Sequence, residues 1–396
     1  MNILIVSQFF YPEMGAAPVR LTNIAKALVN DGANVEVLTA LPNYPYGKIA
    51  KEYRGKFYAK DNFDGIIIHR YWLLATKSIN KFIRLFALVS LALSMLCFAF
   101  KRRTIKKYDL VLVQTPPLFC ALSAIFMFKK IYHKRLVLNI SDIHPESLIG
   151  LGVMQSNSMQ YKLLLRIQNF TYRNADLFIG QSHEIVRHIK AKRSDAPLFL
   201  YRNLQRSIDA NNIKKNKNNP LRLVYAGLFS LPQGIATIVK SIDYKKLGVE
   251  LHLYGEGADV EEVKKYIEKE DTNVFYHGVF GKNEMTQELS KYDASIVPLM
   301  MKLEGAVPSK IFDLIAVGKP ILYIGGKGEA ADIITDNKIG FVAEVGQFEQ
   351  LSKNILKLKS ISSEEYAAMV ERCIQLSENE YNFNNQFSRF REFLNI

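Results

Sequence analysis

Apolar residues in this chain fall into short runs separated by polar, glycine- and proline-bearing turns. Ile3–Val6, Val35–Leu38, Asp109–Val113, Leu136–Ile140, Leu177–Gly180 and Leu198–Asn203 read as buried strands. Between the first two lies a helical pattern over about Val19–Asn30, stopped by Gly32. The polar stretch Ile208–Pro220 reads as a linker. Beyond it strands recur at Leu221–Ala226, Leu251–Tyr254, Val274–His277, Ala294–Leu299 and Ile321–Ile324. Strands alternating with helices predict parallel sheets of βαβ units. A chain of 396 residues suits two such domains. The expected division is residues 1–205, residues 206–378, and a terminal helix over residues 379–396 with Phe383, Phe387, Phe390 and Leu394 on one face.

One run breaks the pattern. Phe82–Phe100 is continuously apolar, and as one helix it would be about 28 Å long, nearly a bilayer core. A full span would put the strands at Met1–Val6 and Asp109–Val113 on opposite sides of a membrane, whereas one sheet needs both. The expectation is therefore a helix lying on the bilayer. Ala87, Ser90, Ser94 and Cys97 would pack on the sheet, with Phe86, Leu93, Met95 and Phe100 outward. Lys101, Arg102, Arg103, Lys106 and Lys107 follow at once, and a second apolar helix, Leu118–Phe128, is followed by Lys129, Lys130, Lys134 and Arg135. Apolar helices edged with cations suit an anionic leaflet; two core helices under a basic rim are the alternative.

Charge supports the leaflet. The net charge is +14, but residues 1–205 carry +16 and the remainder −2. A basic first half calls for an anionic surface partner, and no nucleic-acid recognition motif accompanies it. The three cysteines form no spaced pair, so neither a disulfide framework nor a zinc site is indicated, and Cys97 and Cys120 read as packing residues. The short Ile3–Val6 strand, followed at once by Ser7 and Gln8, is not the apolar run of a secretory leader, and none is expected. The expected location is cytoplasmic, peripheral on the inner face of the cell membrane.

Candidate chemistry concentrates in EGAVPSKIFDLIAVGKP, Glu304–Pro320. Pro308 sits where a helix would begin, with Ser309 and Lys310 in its first turn, and Gly318 marks the stop. Unpaired N–H groups, a hydroxyl and a lysine at one helix start bind a phosphate or diphosphate; an ordinary capped βαβ unit is the other reading. After the Leu136–Ile140 strand comes SDIHPES, where Asp142, His144 and Glu146 cluster at a strand end. Side chains at such a strand end meet a ligand; for Asp142 the other reading is the cap of the next helix.

These motifs resemble the retaining glycosyltransferases of family 4, in particular a bacterial amino-sugar subgroup with Pro-Ser-Lys before the helix. The resemblance covers nearly the whole chain. It implies an α/β, GT-B fold: two Rossmann-like domains facing each other across a cleft, the last helix crossing back to the first. It also implies a nucleotide-sugar donor, a polyprenyl-diphosphate-linked saccharide acceptor in capsule or O-antigen synthesis, and catalysis without a metal or other cofactor. Carried over residue by residue, Lys310 and Ser309 would hold the diphosphate, Asp313 the ribose, Gly15, Gly255 and Gly257 the close backbone approaches, and Phe280 the base. Asp142 or His144 would serve the acceptor hydroxyl. The family's paired glutamates are altered: Asp313 replaces the second, and Gly305 stands at the first with Glu304 one residue off register. The loop GLFSLPQG lacks the family's cations, leaving Lys310, Lys282 or Lys327 to meet the charge. A non-catalytic, membrane-bound protein of this fold and an epimerase of nucleotide amino sugars are the rival readings.

Overall fold

The computed structural model describes every residue except Met14, Pro45, Ile79, residues 205–212, Lys282, Asn283, Lys302 and Ile396. The chain divides into two compact units. The first comprises Met1–Asn203, Glu304–Ala306 and Arg389–Ile396; the second comprises Leu204–Leu303 and Val307–Ser388. This departs from the expected boundaries in two places. Glu304–Ala306 counts with the first unit because the Gly305 N–H donates to Glu184 Oε2 at 2.7 Å and its carbonyl accepts from Ser182 Oγ at 2.8 Å. The terminal helix, Phe383–Leu394, is split within its own length.

The first unit is built on an eight-stranded sheet: β1 (Asn2–Val6), β2 (Asn34–Ala40), β3 (Tyr58–Phe63), β4 (Ile66–Tyr71), β5 (Leu110–Thr115), β6 (Arg135–Ile140), β7 (Leu177–Gly180) and β8 (Leu198–Leu200). Their order is β3-β4-β2-β1-β5-β6-β7-β8. Ile5 of β1 lies opposite Val37 and Leu112, so the opening strand is central. Helices cover both faces, which is why β5 is buried throughout and reads as an unbroken apolar run. Among the described strands only β3 runs antiparallel, paired to β4 through an Asp64-Gly65 turn with φ of 50° and 80°.

The second unit carries β9 (Leu221–Ala226), β10 (Val249–Tyr254), β11 (Val274–Tyr276), β12 (Ala294–Leu299), β13 (Ile321–Gly325) and β14 (Gly340–Ala343). They form a parallel sheet in the order β11-β10-β9-β12-β13-β14. The described part of the expected linker is not free. Lys217 Nζ donates to the carbonyls of Leu358, Lys359 and Ile361, and the Asn218 N–H donates to Asp293 Oδ1 at 2.8 Å.

Several local expectations are corrected. The first helix starts at Ala16 with Gly15 as its cap, so the small residues belong to its first turn. Phe82–Phe100 is not one helix: Lys81–Met95 is α-helical and Leu96–Phe100 is a 3-10 turn. Met95, still within the α-helix, is fully buried instead of outward because it lies one turn after the buried Leu91, and the tighter turn beyond it leaves Cys97 exposed instead of packed. The second apolar helix holds α geometry over Leu118–Ala124 and widens to a π-helix over Ile125–Ile131. Among the described residues, no helix is long and apolar enough to cross a membrane.

Candidate functional site

In the second unit the Lys310–Ala316 helix begins two residues later than the expected start at Pro308, and the Ser309 side chain at its cap position makes no capping hydrogen bond. Its first residue matters most. Lys310 Nζ lies 4.1 Å from the centre of the Tyr225 ring, at the end of β9, and a side chain at position 227 would collide with it. Tyr225 itself is buried and donates its hydroxyl to the Leu228 carbonyl. Burial pushes the Lys310 ammonium down to about 7, opposed by the Asp313 carboxylate one turn along. An amine so placed is primed to bind an anion, because an anion restores the charge that desolvation disfavours.

Gly255 and Gly257 border this corner. A Cβ on either would strike the backbone of Gly227 or Phe229, and both hold left-handed φ, 136° and 149°. Their missing side chains make room for the protein's own loop, a more local role than the donor approach expected of them. Phe280 packs edge-on against Tyr254, centroids 4.9 Å apart. Lys327 is paired with Glu344 at 3.3 Å, on the surface. Lys282 lies outside the described residues.

The first unit gathers polar groups at the carboxyl ends of β1, β5, β6 and β7, where open parallel sheets place ligands. Arg20, from the first helix, is buried and donates to Gln181 Oε1 at 2.7 Å and Gln114 Oε1 at 3.1 Å. Gln114 also accepts from Asn139 and donates to Ser141 Oγ. Arg20 Nε and Asn139 Oδ1 are buried without a partner. Burial raises Asp142 to about 6, with Arg20 pulling the other way, while burial lowers His144. The helix after SDIHP, Glu146–Gly150, has Pro145 at its cap position and no side-chain cap, so Asp142 is not spent there. Sequence reasoning missed this network. Its signal was Arg20 at helical spacing with the buried Ile24, Ala27 and Leu28, an arginine on an apolar face.

Two loops above the sheet are tied by Glu13, whose carboxylate accepts from the backbone N–H groups of Phe10, Asn43 and Tyr44. Gly15 follows with φ 144°, where its missing side chain leaves ordinary contact distance to Pro18 and Tyr44. Glu304 is exposed beside the anchored Gly305.

The outer face of the Lys81–Met95 helix exposes Phe86 (48%) and Leu93 (57%), and Phe100 follows at 87%. Arg102 and Arg103 are exposed too. Lys101, expected with them, turns inward: Nζ donates to the Tyr58 hydroxyl at 2.9 Å and sits 4.0 Å over its ring. Among the described residues, no group of three or more His, Cys, Asp or Glu could hold a metal ion.

Comparison with known proteins adds the following. Residues 15–199 match the family described as Glycosyl transferase 4-like domain, and residues 206–376 match Glycosyl transferases group 1. A probable glycosyltransferase WbjE of Pseudomonas aeruginosa is 26% identical over 260 residues, 62% of this chain and 65% of that protein, just under two thirds of its length. A putative colanic acid biosynthesis glycosyl transferase WcaI of Escherichia coli K12 is 21% identical over 346 residues, 80% and 82% of the two chains. Among solved structures, Anabaena HepE in complex with UDP and glucose superposes with a TM-score of 0.67 at 16% identity, covering 100% of this chain and 99% of that one. The fold is that of GT-B glycosyltransferases.

Proposed function

Because this chain belongs to the glycosyltransferases of the GT-B kind, we propose that it moves an N-acetylamino sugar from uridine diphosphate to a polyprenyl-diphosphate-linked saccharide, with retention, in surface-polysaccharide assembly. The bond from the sugar's C1 to the diphosphate oxygen breaks. A bond from C1 to the acceptor oxygen forms on the same face, and the acceptor hydroxyl gives up its proton. The observation that carries this reading is the Lys310 ammonium, lowered to about 7 and held between Tyr225 and Gly227. Negative charge grows on the departing diphosphate, and a preformed cation stabilises that change with little reorganisation.

The remaining roles follow from chemistry. Ser309 adds a phosphate hydrogen bond, Asp313 holds the ribose hydroxyls, and Phe280 beside Tyr254 meets the base. Asp142, with its proton affinity raised to about 6, takes the acceptor proton; His144 is the alternative acceptor. Exposed Phe86, Leu93 and Phe100 with Arg102 and Arg103 hold the first unit against an anionic leaflet where a lipid-linked acceptor resides. The UDP complex of HepE, and the colanic acid biosynthesis for which WcaI is named, favour this donor and this pathway class.

Membranes containing the protein, incubated with a panel of nucleotide sugars and a polyprenyl-diphosphate saccharide, test the proposal. One uridine diphosphate amino sugar should be consumed and the lipid product lengthened by one sugar. Lengthening with none of the donors would refute it.

A further inference from the structure

One groove of the first unit takes no part in the chemistry above. Lys48, Ile49, Arg54, Trp72, Leu73, Leu74 and Ala75 line an open cavity of about 410 Å³, within the size range of small-molecule sites. One wall is the end of the ALPNYPYGK loop, whose turn is fixed by Gly47 (φ 64°) and by the Ala50 N–H donating to the Pro42 carbonyl at 2.8 Å. The other is the chain leaving β4. Ser94 Oγ donates to the Trp72 carbonyl at 2.6 Å, and the Leu74 N–H donates to Ser90 Oγ at 2.9 Å. Ser90 and Ser94 lie on the buried side of the Lys81–Met95 helix, whose opposite side exposes Phe86 and Leu93. The groove floor is thus bound directly to the helix that carries the apolar outer face.

Its chemistry is divided. Lys48 and Arg54 are exposed cations, and no carboxylate is among the described lining residues. The Arg54 Nε–H is committed to the Ile49 carbonyl at 3.2 Å, which orients the guanidinium and leaves its other N–H groups for an anion. The rest of the lining is apolar, with one indole. An inorganic anion would leave that apolar part unused, and a hydrocarbon would leave the cations unpaired. An amphiphile with an anionic head and an apolar chain satisfies both.

We infer that the groove lined by Lys48, Arg54 and Trp72 binds the diphosphate and first isoprene units of a polyprenyl-diphosphate-linked acceptor. The site rests on the lipid-linked acceptor proposed above and gives it a place: the head on Lys48 and Arg54, the chain running over Trp72 and Leu74 toward the apolar helix.

Trp72 is the only tryptophan in the chain, so its emission reports the groove directly. The test titrates the full protein, without any donor, with farnesyl diphosphate, farnesol, inorganic diphosphate and phosphatidylglycerol vesicles. Farnesyl diphosphate should change the emission saturably, with farnesol and inorganic diphosphate each binding at least about tenfold more weakly, as expected when two kinds of contact combine. In the Lys48→Gln/Arg54→Gln variant its Kd should rise about thirtyfold, at about fivefold per lost cation. Both residues are exposed, so the fold should persist. An unchanged Kd in that variant overturns the proposal. So does farnesol binding as tightly as farnesyl diphosphate, or displacement of farnesyl diphosphate by phosphatidylglycerol at equal concentration. Because no sugar donor is present, failure here leaves the transfer reaction standing, and failure of transfer leaves this binding measurable.

Discussion

Replacing Lys310 with alanine should lower kcat by about two orders of magnitude and leave the fold intact. One cation facing the diphosphate charge that develops in a water-excluded site contributes about 3 kcal/mol, or about two powers of ten in rate. The fold should persist because the amine's visible neighbours are the face of Tyr225 and the open side of Gly227, and burial works against its charge. The pH dependence gives an independent signature. Lys310 titrates near 7 and must be protonated to hold the donor, so kcat/KM should fall as pH rises through about 7. Asp142 titrates near 6 and must be ionised to take a proton, so kcat/KM should fall as pH drops through about 6. Bound diphosphate raises the lysine's affinity for its proton, so the alkaline limb of kcat should lie above that of kcat/KM. Steady-state release of UDP across the neutral range measures all of this. An alkaline limb that survives unchanged in Lys310→Ala, or turnover close to wild type, would remove Lys310 from the mechanism.

Three further outcomes are expected. Asp313→Asn should chiefly weaken donor binding by calorimetry, whereas Glu304→Gln should chiefly lower kcat; no effect of the latter would take the off-register glutamate out of the site. Gly305→Ala should lower stability by about 2–4 kcal/mol in denaturant unfolding, from a left-handed φ of 78° and a Cβ placed 2.8 Å from Ile185 Cγ1. In sedimentation with anionic liposomes, high salt should release little wild-type protein, because it screens Arg102, Arg103, Lys106 and Lys107, about 1 kcal/mol each, and spares the apolar face. Replacing Phe86, Leu93 and Phe100 with Ser, Gln and Asn should release much more, and wild-type protein left in the supernatant at low salt would place these side chains outside any membrane contact.

The strands were legible because buried parallel strands leave unbroken apolar runs, as at Leu110–Val113 and Leu136–Ile140. The Pro308–Lys310 start was legible because helix punctuation is local. Faces were harder. The 3-10 turn at Leu96–Phe100 reversed Cys97, since a face read at helical spacing assumes a constant number of residues per turn, whereas Met95 lies in the regular helix one turn after the buried Leu91 and belongs to the inner face by spacing. Lys101 looked like one of five equivalent cations, and only the β3–β4 hairpin, overlooked despite its Asp64-Gly65 turn, brings Tyr58 to it. Gly255 and Gly257 pointed to close approach, but their partner is a loop nearly thirty positions earlier in the chain, at Gly227–Phe229. The Arg20 network and the Trp72 groove are products of tertiary packing, joining residues far apart in sequence.

The most direct test of the central claim is the identity of the lipid product. Purified protein, an α-configured uridine diphosphate N-acetylamino sugar and a polyprenyl-diphosphate saccharide should yield a lipid heavier by one amino-sugar residue in mass spectrometry. The proton spectrum of the released saccharide should show the new linkage as α, the configuration of the donor. A β linkage would contradict retention, and a lipid of unchanged mass with every uridine diphosphate sugar would contradict transfer itself.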